Sequence, residues 1–316
     1  MDLEIIEPNP FTVFIGPNGS GKSNIFEALE FFISTYPFIY GKERIRLFGG
    51  IESIQSRLLE ENIASFFCES DLFESGLSIS YETGKPINQK EETWRPYDQS
   101  IEDSRIARSI FLQSFSRIFI NNNDKQKMKF EDGGKLNFSA SNLEKVLKRI
   151  LQDESKREEI LEILQLLVPE LENIEVYSDN ISGQDTLLIK EKNTKKPFGK
   201  SLISDGTYNI LCLLTAVYQS DEPQFLCIEE PENGLSPYAI ELLVELMRNK
   251  CKEKGHYIWL NTHSPTLVRQ LQADELILVD KKDGATQIKQ LKGKNFHGLS
   301  MDEAWLTNAL GGGLPW

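Results

Sequence analysis

Apolar and polar positions along this chain follow two periods, and each change of period marks an element. The apolar run FTVFI at 11–15 breaks into Gly16-Pro17-Asn18-Gly19-Ser20-Gly21-Lys22-Ser23 and resumes with helical spacing through Phe26. That order predicts a buried strand, a glycine-rich loop and a helix. LSISY at 77–81 and RIFI at 117–120 read as strands. Apolar residues fall at Leu143, Val146, Leu147, Ile150 and Leu151, and again at Ile160, Leu161, Ile163, Leu164, Leu167 and Val168, the stripe of one long or two shorter amphipathic helices. The stripe lapses across 153–159 and is too short for a coiled coil, which needs several uninterrupted heptads. Short strands follow at 174–177 and 185–190. From Ser201 the pattern predicts helix 206–218, strand 225–229, helix 237–251, strand 256–261, helix 265–271 and strand 275–279. Such alternation argues for a parallel sheet with helices on its faces. A last amphipathic helix, 301–310, sets Trp305, Leu306 and Leu310 on one face before Gly311-Gly312-Gly313-Leu314-Pro315-Trp316.

The glycine-rich loop lies near the N-terminus, whereas the next strongly alternating α/β stretch starts near Ser201. Residues 1–40 and 200–295 therefore read as two parts of one split core. Residues 41–199 read as an inserted lid of strands and packed helices, and 296–316 as a C-terminal helix with a glycine-rich tail. A chain of 316 residues has room for about two average domains or one large domain carrying an insertion.

Four motifs carry chemistry. GPNGSGKS at 16–23 fits G-x-x-x-x-G-K-[ST] in its strand-then-helix setting. Glycines there let successive N–H groups curl round a phosphate at a helix start. Asn18, Gly19, Ser20 and Gly21 form the cradle, Lys22 reaches the β and γ phosphates, and the Ser23 hydroxyl ligates Mg²⁺. QFLCIEEPENGL at 224–235 runs four apolar residues straight into two carboxylates, at the strand end where α/β sheets bind ligands. Glu229 would ligate or orient Mg²⁺ and Glu230 would hold and polarise the attacking water, since phosphoryl transfer needs positioning and charge stabilisation from separate groups. Ser204-Asp205-Gly206-Thr207 precedes an apolar helix; this ordinary cap also presents a hydroxyl and a helix N-terminus to a phosphate. NTHSP at 261–265 ends another apolar strand, where His263 is placed to hydrogen-bond a γ-phosphate or the attacking water, or to serve structure alone.

Charge and composition narrow the reading. Asp and Glu number 48 against 35 Lys and Arg, a net charge of −13 at pH 7, so no overall basic footprint for nucleic acid exists. Local basic stretches at 42–46, 192–200 and 281–294 read as solvated loops or hairpin tips, though a small stripe on an acidic body still binds phosphate backbone. Cys68, Cys212, Cys227 and Cys251 lack C-x-x-C spacing and read as buried free thiols of a reducing compartment. His256, His263 and His297 are scattered, without a zinc pattern. No apolar run approaches the ~18 residues of a bilayer span, and MDLEIIEPNP lacks a signal sequence's basic and apolar regions. A soluble, cytoplasmic protein is expected.

GPNGSGKS, SDGT, FLCIEEPENGL and NTHSP, in that order, resemble the ATP-binding-cassette heads of the SMC, RecF and OLD proteins. The likeness is strongest to the compact AAA-type ATPases called AAA_21, many of them from bacterial antiphage or abortive-infection systems. The motifs span about the first thirty and last hundred residues; the middle agrees in layout only. The resemblance implies an α/β fold, an ABC/SMC-type P-loop nucleotide-binding head with an inserted mixed α/β lid and no long coiled coil. It implies ATP and Mg²⁺ as cofactors, Lys22 as the phosphate-loop lysine, and Ser23 as a metal ligand. Glu229 becomes the Walker B acid, Glu230 the catalytic glutamate, Ser204 and Gly206 the signature motif, and His263 the switch histidine. It also implies a homodimer or higher homo-oligomer with ATP sandwiched between one subunit's phosphate loop and the other's signature turn. Three positions depart from the family pattern. Only ten residues precede Phe11, so part of the adenine-side contact is expected to be missing or the start shortened. Ser236 stands where many relatives carry histidine, and the metal-side glutamine is either Gln55 or Gln113.

The function expected from these residues is an ATP-hydrolysing subunit whose nucleotide-driven dimerisation controls a partner effector encoded nearby, in antiphage defence. No nuclease-type acid cluster follows the cassette, so the effector is expected to be a separate protein, docked by the lid and the C-terminal tail. The alternative is a RecF/SMC-like DNA-maintenance ATPase binding DNA across dimerised heads. A transporter subunit is disfavoured by the large insertion and by the EEPENGL sequence.

Overall fold

The computed structural model describes residues 3–35, 45–48, 50, 63–69, 74–80, 86–92, 106, 109–110, 113–120, 134–179, 183–296 and 298–312. They fall into two compact units: Met1–Glu4, Gly19–Phe115 and Asp280–Ile288 form one, while Ile5–Asn18, Ser116–Val279 and Lys289–Trp316 form the other.

The larger unit is built on a sheet whose strands run in the order β11-β1-β10-β9-β5: β1 (Phe11–Ile15), β5 (Phe115–Ile118), β9 (Phe225–Glu229), β10 (Tyr257–Thr262) and β11 (Leu276–Lys282), the last continuing past Val279 into residues of the smaller unit, which also holds most of β12 (Ala285–Gln290). The pairs β11·β1, β1·β10 and β10·β9 are parallel. All five residues of β1 and of β9 are buried, as the unbroken apolar runs require of strands covered on both faces. Asn9 sets the entry to β1: its Oδ1 accepts from Phe11 N–H at 3.0 Å, and its carbonyl accepts from the Thr12 hydroxyl.

The helix Asp205–Tyr218 is buried at every position from Tyr208 onward and packs against the helices Leu143–Ile150 and Glu154–Leu167. The interrupted apolar stripe therefore makes two helices, with Asp153 capping the second by accepting from Lys156 N–H. Both feed one core that also holds Phe11, Val13 and Ile15 of β1. A second sheet, antiparallel, joins β6 (Leu171–Ser178), β7 (Asp185–Glu191) and β8 (Phe198–Gly199). The helix Pro237–Lys254, at 18 residues the longest described, starts on the Ser236 cap with Pro237 in its first turn, where the missing N–H costs nothing.

Several elements differ from the sequence expectation. The strand expected at 117–120 lies at Phe115–Ile118, and the helix expected over 265–271 stops at Val268. The C-terminal helix ends at Leu306 rather than 310, and its three apolar residues do not share a fate. Trp305 and Leu310 are fully buried, whereas Leu306 is exposed. Trp305 is thus a core residue, and residues 313–316 of the tail lie outside those described.

In the smaller unit, β2 (Ile63–Glu69), β3 (Glu74–Ser80) and β4 (Pro86–Glu92) form an antiparallel sheet. The helix Lys22–Thr35 brings Phe31 and Phe32 against Phe66, with Phe31 also edge-on to Phe48 at 5.1 Å.

His256, immediately before β10, is 1% exposed. Burial pushes its imidazole down to about 4 from 6.5; the charges of Lys250 and Lys254 add to this, and a backbone hydrogen bond to Val217 opposes it. The unfolded chain takes up this proton near pH 6.5 while the folded chain resists until about pH 4. Stability is therefore full above that window and falls as the pH drops through it, by at most ~3 kcal/mol for this group. An acid titration of the unfolding midpoint should show the fall, and His256→Gln should flatten it between those limits. Equal slopes in both proteins would assign the acid loss to other groups.

Candidate functional site

Parallel register places three strand ends in one row. Ile15 of β1 lies opposite Thr262 of β10, and Asn261 opposite Glu229 of β9. The residues that follow, Gly16-Pro17-Asn18 after β1, His263-Ser264 after β10 and Glu230-Pro231 after β9, all emerge at the carboxyl edge of the sheet, where open α/β sheets bind ligands.

The second half of the phosphate-loop motif belongs to the smaller unit. The Ser20 carbonyl accepts from the Thr286 hydroxyl at 2.9 Å. Gly21 has φ +105°, and a Cβ there would come within 2.3 Å of the Thr286 Oγ1, so glycine alone fits without displacing that hydroxyl. The helix begins at Lys22, which is 9% exposed. Ser20 Oγ is buried and has no hydrogen-bond partner among the described residues.

Glu229 and Glu230 are adjacent in sequence and opposite in environment. Glu229 is 1% exposed. Its Oε1 accepts from Arg117 Nε at 2.7 Å and lies 2.5 Å from Nη2 in an ion pair, and its Oε2 is buried with no partner among the described residues. The Arg117 guanidinium lies 5.0 Å over the Phe138 ring. Glu230 turns out of the strand with φ +47°, a conformation that costs a non-glycine residue of order 1 kcal/mol or more. Its N–H donates to both the backbone carbonyl and the Oδ1 of Asn261, at 3.0 and 3.1 Å, and its Oε2 accepts from Asn233 Nδ2 at 3.1 Å. The strained turn aims the carboxylate outward: Glu230 is about one-third exposed, with Oε1 4.0 Å from Nδ1 of the exposed His263.

A third carboxylate, Glu232, ties the two turns together. It accepts from the Thr262 hydroxyl, and burial pushes its carboxyl up despite that bond and the nearby His263. The Thr262 Oγ1 in turn accepts from Ser264 N–H at 2.9 Å, which fixes the backbone on either side of His263.

Ser204 is exposed and caps the helix Asp205–Tyr218, its hydroxyl accepting from Thr207 N–H at 3.1 Å. Gly206, in the same turn, sits against the backbone of the acidic turn. A Cβ on Gly206 would lie 2.5 Å from the Gly234 carbonyl oxygen. Beside it, Asn209 Nδ2 donates to the Asn233 carbonyl. Ser236 caps the next helix by accepting from Ala239 N–H.

Of the residues expected from sequence, Glu229, Glu230 and His263 come together at the sheet edge. The Ser204-Gly206 turn joins them by packing on Gly234. Gln113, one candidate for the metal-side glutamine, donates to the Ser109 hydroxyl in the smaller unit, and Gln55 lies outside the described residues. Arg117, Asn261, Glu232, Thr262 and Asn209 were not singled out from sequence. A single arginine inside the apolar RIFI strand was the available signal for the first, because a buried charge demands a partner.

This arrangement is that of a P-loop ATPase head. The AAA_21 family model, described as "AAA domain, putative AbiEii toxin, Type IV TA system", matches residues 11–269, and the chain belongs to that family. Among solved structures it is similar to an SMC head bound to the C-winged helix domain of ScpA, with 18% identity, TM-score 0.61, and 95% of this chain and 94% of that one covered. It is also similar to the SMC head domain from Thermotoga maritima, with 15% identity, TM-score 0.50, and 91% and 92% covered. A third likeness is to the SMC head with an extended coiled coil bound to the C-terminal domain of ScpA from Pyrococcus furiosus, with 14% identity, TM-score 0.56, and 97% and 94% covered. No curated protein matches the chain. The fold is therefore that of an SMC-type ATPase head, without a long coiled coil among the described residues.

Because the Gly234 carbonyl is backbone and has no room to yield, Gly206→Ala should destabilise the chain by about 1–3 kcal/mol, the usual cost of overpacking. Chemical unfolding of the variant checks this, and wild-type stability would show that the two turns separate freely.

Proposed function

We propose that this protein binds ATP with Mg²⁺, hydrolyses it, and dimerises around the nucleotide to control a protein effector. The observation that carries the reading is the division of labour at the end of β9: one carboxylate buried and clamped with a single buried oxygen left over, the next turned outward beside His263. Backbone N–H groups of the 16–23 loop cradle the phosphates, those of Asn18, Gly19, Ser20 and Gly21 among them, and Lys22 pairs with the β and γ phosphates. The orphan oxygen of Glu229 and the donor chemistry of Ser23 fit a hard cation that prefers oxygen ligands. Mg²⁺, when bound, neutralises phosphate charge. Glu230, held through its own N–H and Oε2, takes the proton of the water that attacks the γ-phosphate, and His263 orients that water or the phosphate. ADP and inorganic phosphate leave. In the dimer, Ser204 and the helix N-terminus at Gly206 meet the partner subunit's nucleotide.

The family description, which cites a type IV TA system, supports a defence setting in which a separate effector is held or released. No helix among the described residues is long and apolar enough to cross a membrane, and we place the protein in the cytoplasm. We propose a division into a split core of 1–40 and 200–295, an inserted lid of 41–199 and a C-terminal segment of 296–316. A RecF/SMC-like role, gripping DNA across dimerised heads, is the second reading, supported by the SMC-head fold. Co-purification with the neighbouring gene product against DNA retention on the ATP-bound dimer separates the two.

Lys22→Ala should abolish tight ATP binding measured with a fluorescent analogue, and undiminished affinity would sink the phosphate-loop assignment. Glu230→Gln should keep binding and lose hydrolysis by about 10²- to 10⁴-fold, the usual worth of a general base. The same variant should sediment as an ATP-dependent dimer. Turnover within a few-fold of wild type would move the base elsewhere, and monomers at saturating ATP would reject the sandwich.

A further inference from the structure

Arg117 and Glu229 form a buried pair, with side chains 4% and 1% exposed. Two nitrogens of the guanidinium meet the same carboxylate oxygen: Nε at 2.7 Å and Nη2 at 2.5 Å converge on Oε1. The other oxygen, Oε2, is buried and unpartnered among the described residues. Arg117 is itself held in place. Its guanidinium lies over Phe138 at 5.0 Å, Phe138 meets Phe119 edge-on at 6.2 Å, and Phe119 N–H donates to the Phe138 carbonyl at 2.6 Å.

Burying such a pair is no efficient source of stability, because desolvating two charges offsets most of their attraction and an apolar pair of equal volume does as well. What the pair does change is how many oxygens Glu229 has to give. A carboxylate with both oxygens open grips a cation in bidentate fashion, as Ca²⁺ sites with six to eight ligands commonly do. Mg²⁺ is smaller, demands near-octahedral geometry, keeps several waters and takes carboxylate oxygens singly. With Oε1 engaged by the Nε hydrogen bond and the Nη2 ion pair of Arg117, Glu229 offers a cation, or a water on that cation, one oxygen only.

We infer that Arg117 is a specificity-determining residue that fixes Glu229 as a one-oxygen ligand and so makes the nucleotide site select Mg²⁺ over Ca²⁺. This rests on the ATP reading above. Arg117 acts through Glu229, so it is a positioning residue, and its removal should alter the balance between cations rather than nucleotide binding as such.

The test is the affinity of the full-length protein for a fluorescent, non-hydrolysable ATP analogue in excess EDTA, Mg²⁺ or Ca²⁺. Wild type should gain more affinity from Mg²⁺ than from Ca²⁺. Arg117→Met, which frees Oε1, should shrink that preference by about tenfold or more, the scale on which partners of metal ligands act. Arg117→Lys, which keeps a charged donor for Oε1, should retain most of it. Because Arg117→Met leaves a buried carboxylate uncompensated and endangers folding, Phe138→Leu provides a second arm. It keeps the arginine's charge but removes the ring that holds the guanidinium over Glu229, so Oε1 is released part of the time and the preference should move in the same direction by a smaller factor. Equal affinity for the Mg²⁺ and Ca²⁺ complexes in wild type would overturn the proposal without any variant. So would folded Arg117→Met or Phe138→Leu protein that weakens binding equally in EDTA, Mg²⁺ and Ca²⁺, which is the mark of a merely structural role. Absence of nucleotide binding by wild type under every condition is a different failure, and would remove the ATP reading itself.

Discussion

Parallel register is the constraint on which the rest of the larger unit depends. β1, β10 and β9 are buried strands whose backbone groups must pair along their whole length, since an unpaired buried N–H or C=O costs as much as a lost hydrogen bond. Pairing Ile15 with Thr262 and Asn261 with Glu229 leaves no freedom in where the strands end. A one-residue slip would turn each side chain to the opposite face. Glu229 would then leave Arg117, and Asn261 would lose the backbone of Glu230. The chemistry at the edge of the sheet is thus a consequence of how the apolar strands pair beneath it.

Beyond that row, the turns are fixed by polar contacts rather than by apolar packing. Glu230 occupies a left-handed backbone conformation, and four hydrogen bonds with Asn261 and Asn233 offset that strain. Glu232 links the same turn to Thr262, whose hydroxyl also orders the backbone after His263. Gly206 brings the Ser204–Gly206 turn against Gly234, and Asn209 reinforces that approach by donating to the Asn233 carbonyl. The three turns therefore share a common set of small contacts, so a displacement of one is felt by the others. Small shifts are passed on where packing is close and not continuously deformable.

Much of this was legible in the chain. Unbroken apolar runs ending in charged or glycine-rich turns identified β1, β9 and β10, because a strand buried on both faces tolerates little else. The phosphate-loop motif, the paired glutamates, the signature turn and the histidine stood out because each combines a residue type with a place at an element's end. Boundaries were less legible. The expected helix at 265–271 stops at Val268 and that at 301–310 stops at Leu306, since hydrophobic spacing continues into turns that tertiary packing bends. Trp305 illustrates the same limit: one face of a short helix is all that sequence reveals, and only packing decided that this indole belongs to the core.

By itself the sequence determined the class of fold, the order of its elements and the residues with the right chemistry, because these follow from periodicity and from local motifs. The tertiary structure alone decided how those residues are tuned. Nothing local links Arg117 to Glu229, 112 positions apart, or Gly206 to Gly234, or Asn261 to Glu230. Their pairing depends on which strands are neighbours in the sheet and on which turns meet above it. Two glutamates in succession read alike as letters; the sheet buries one against an arginine and turns the other outward, and that difference in solvation and partners is what gives them different chemistry.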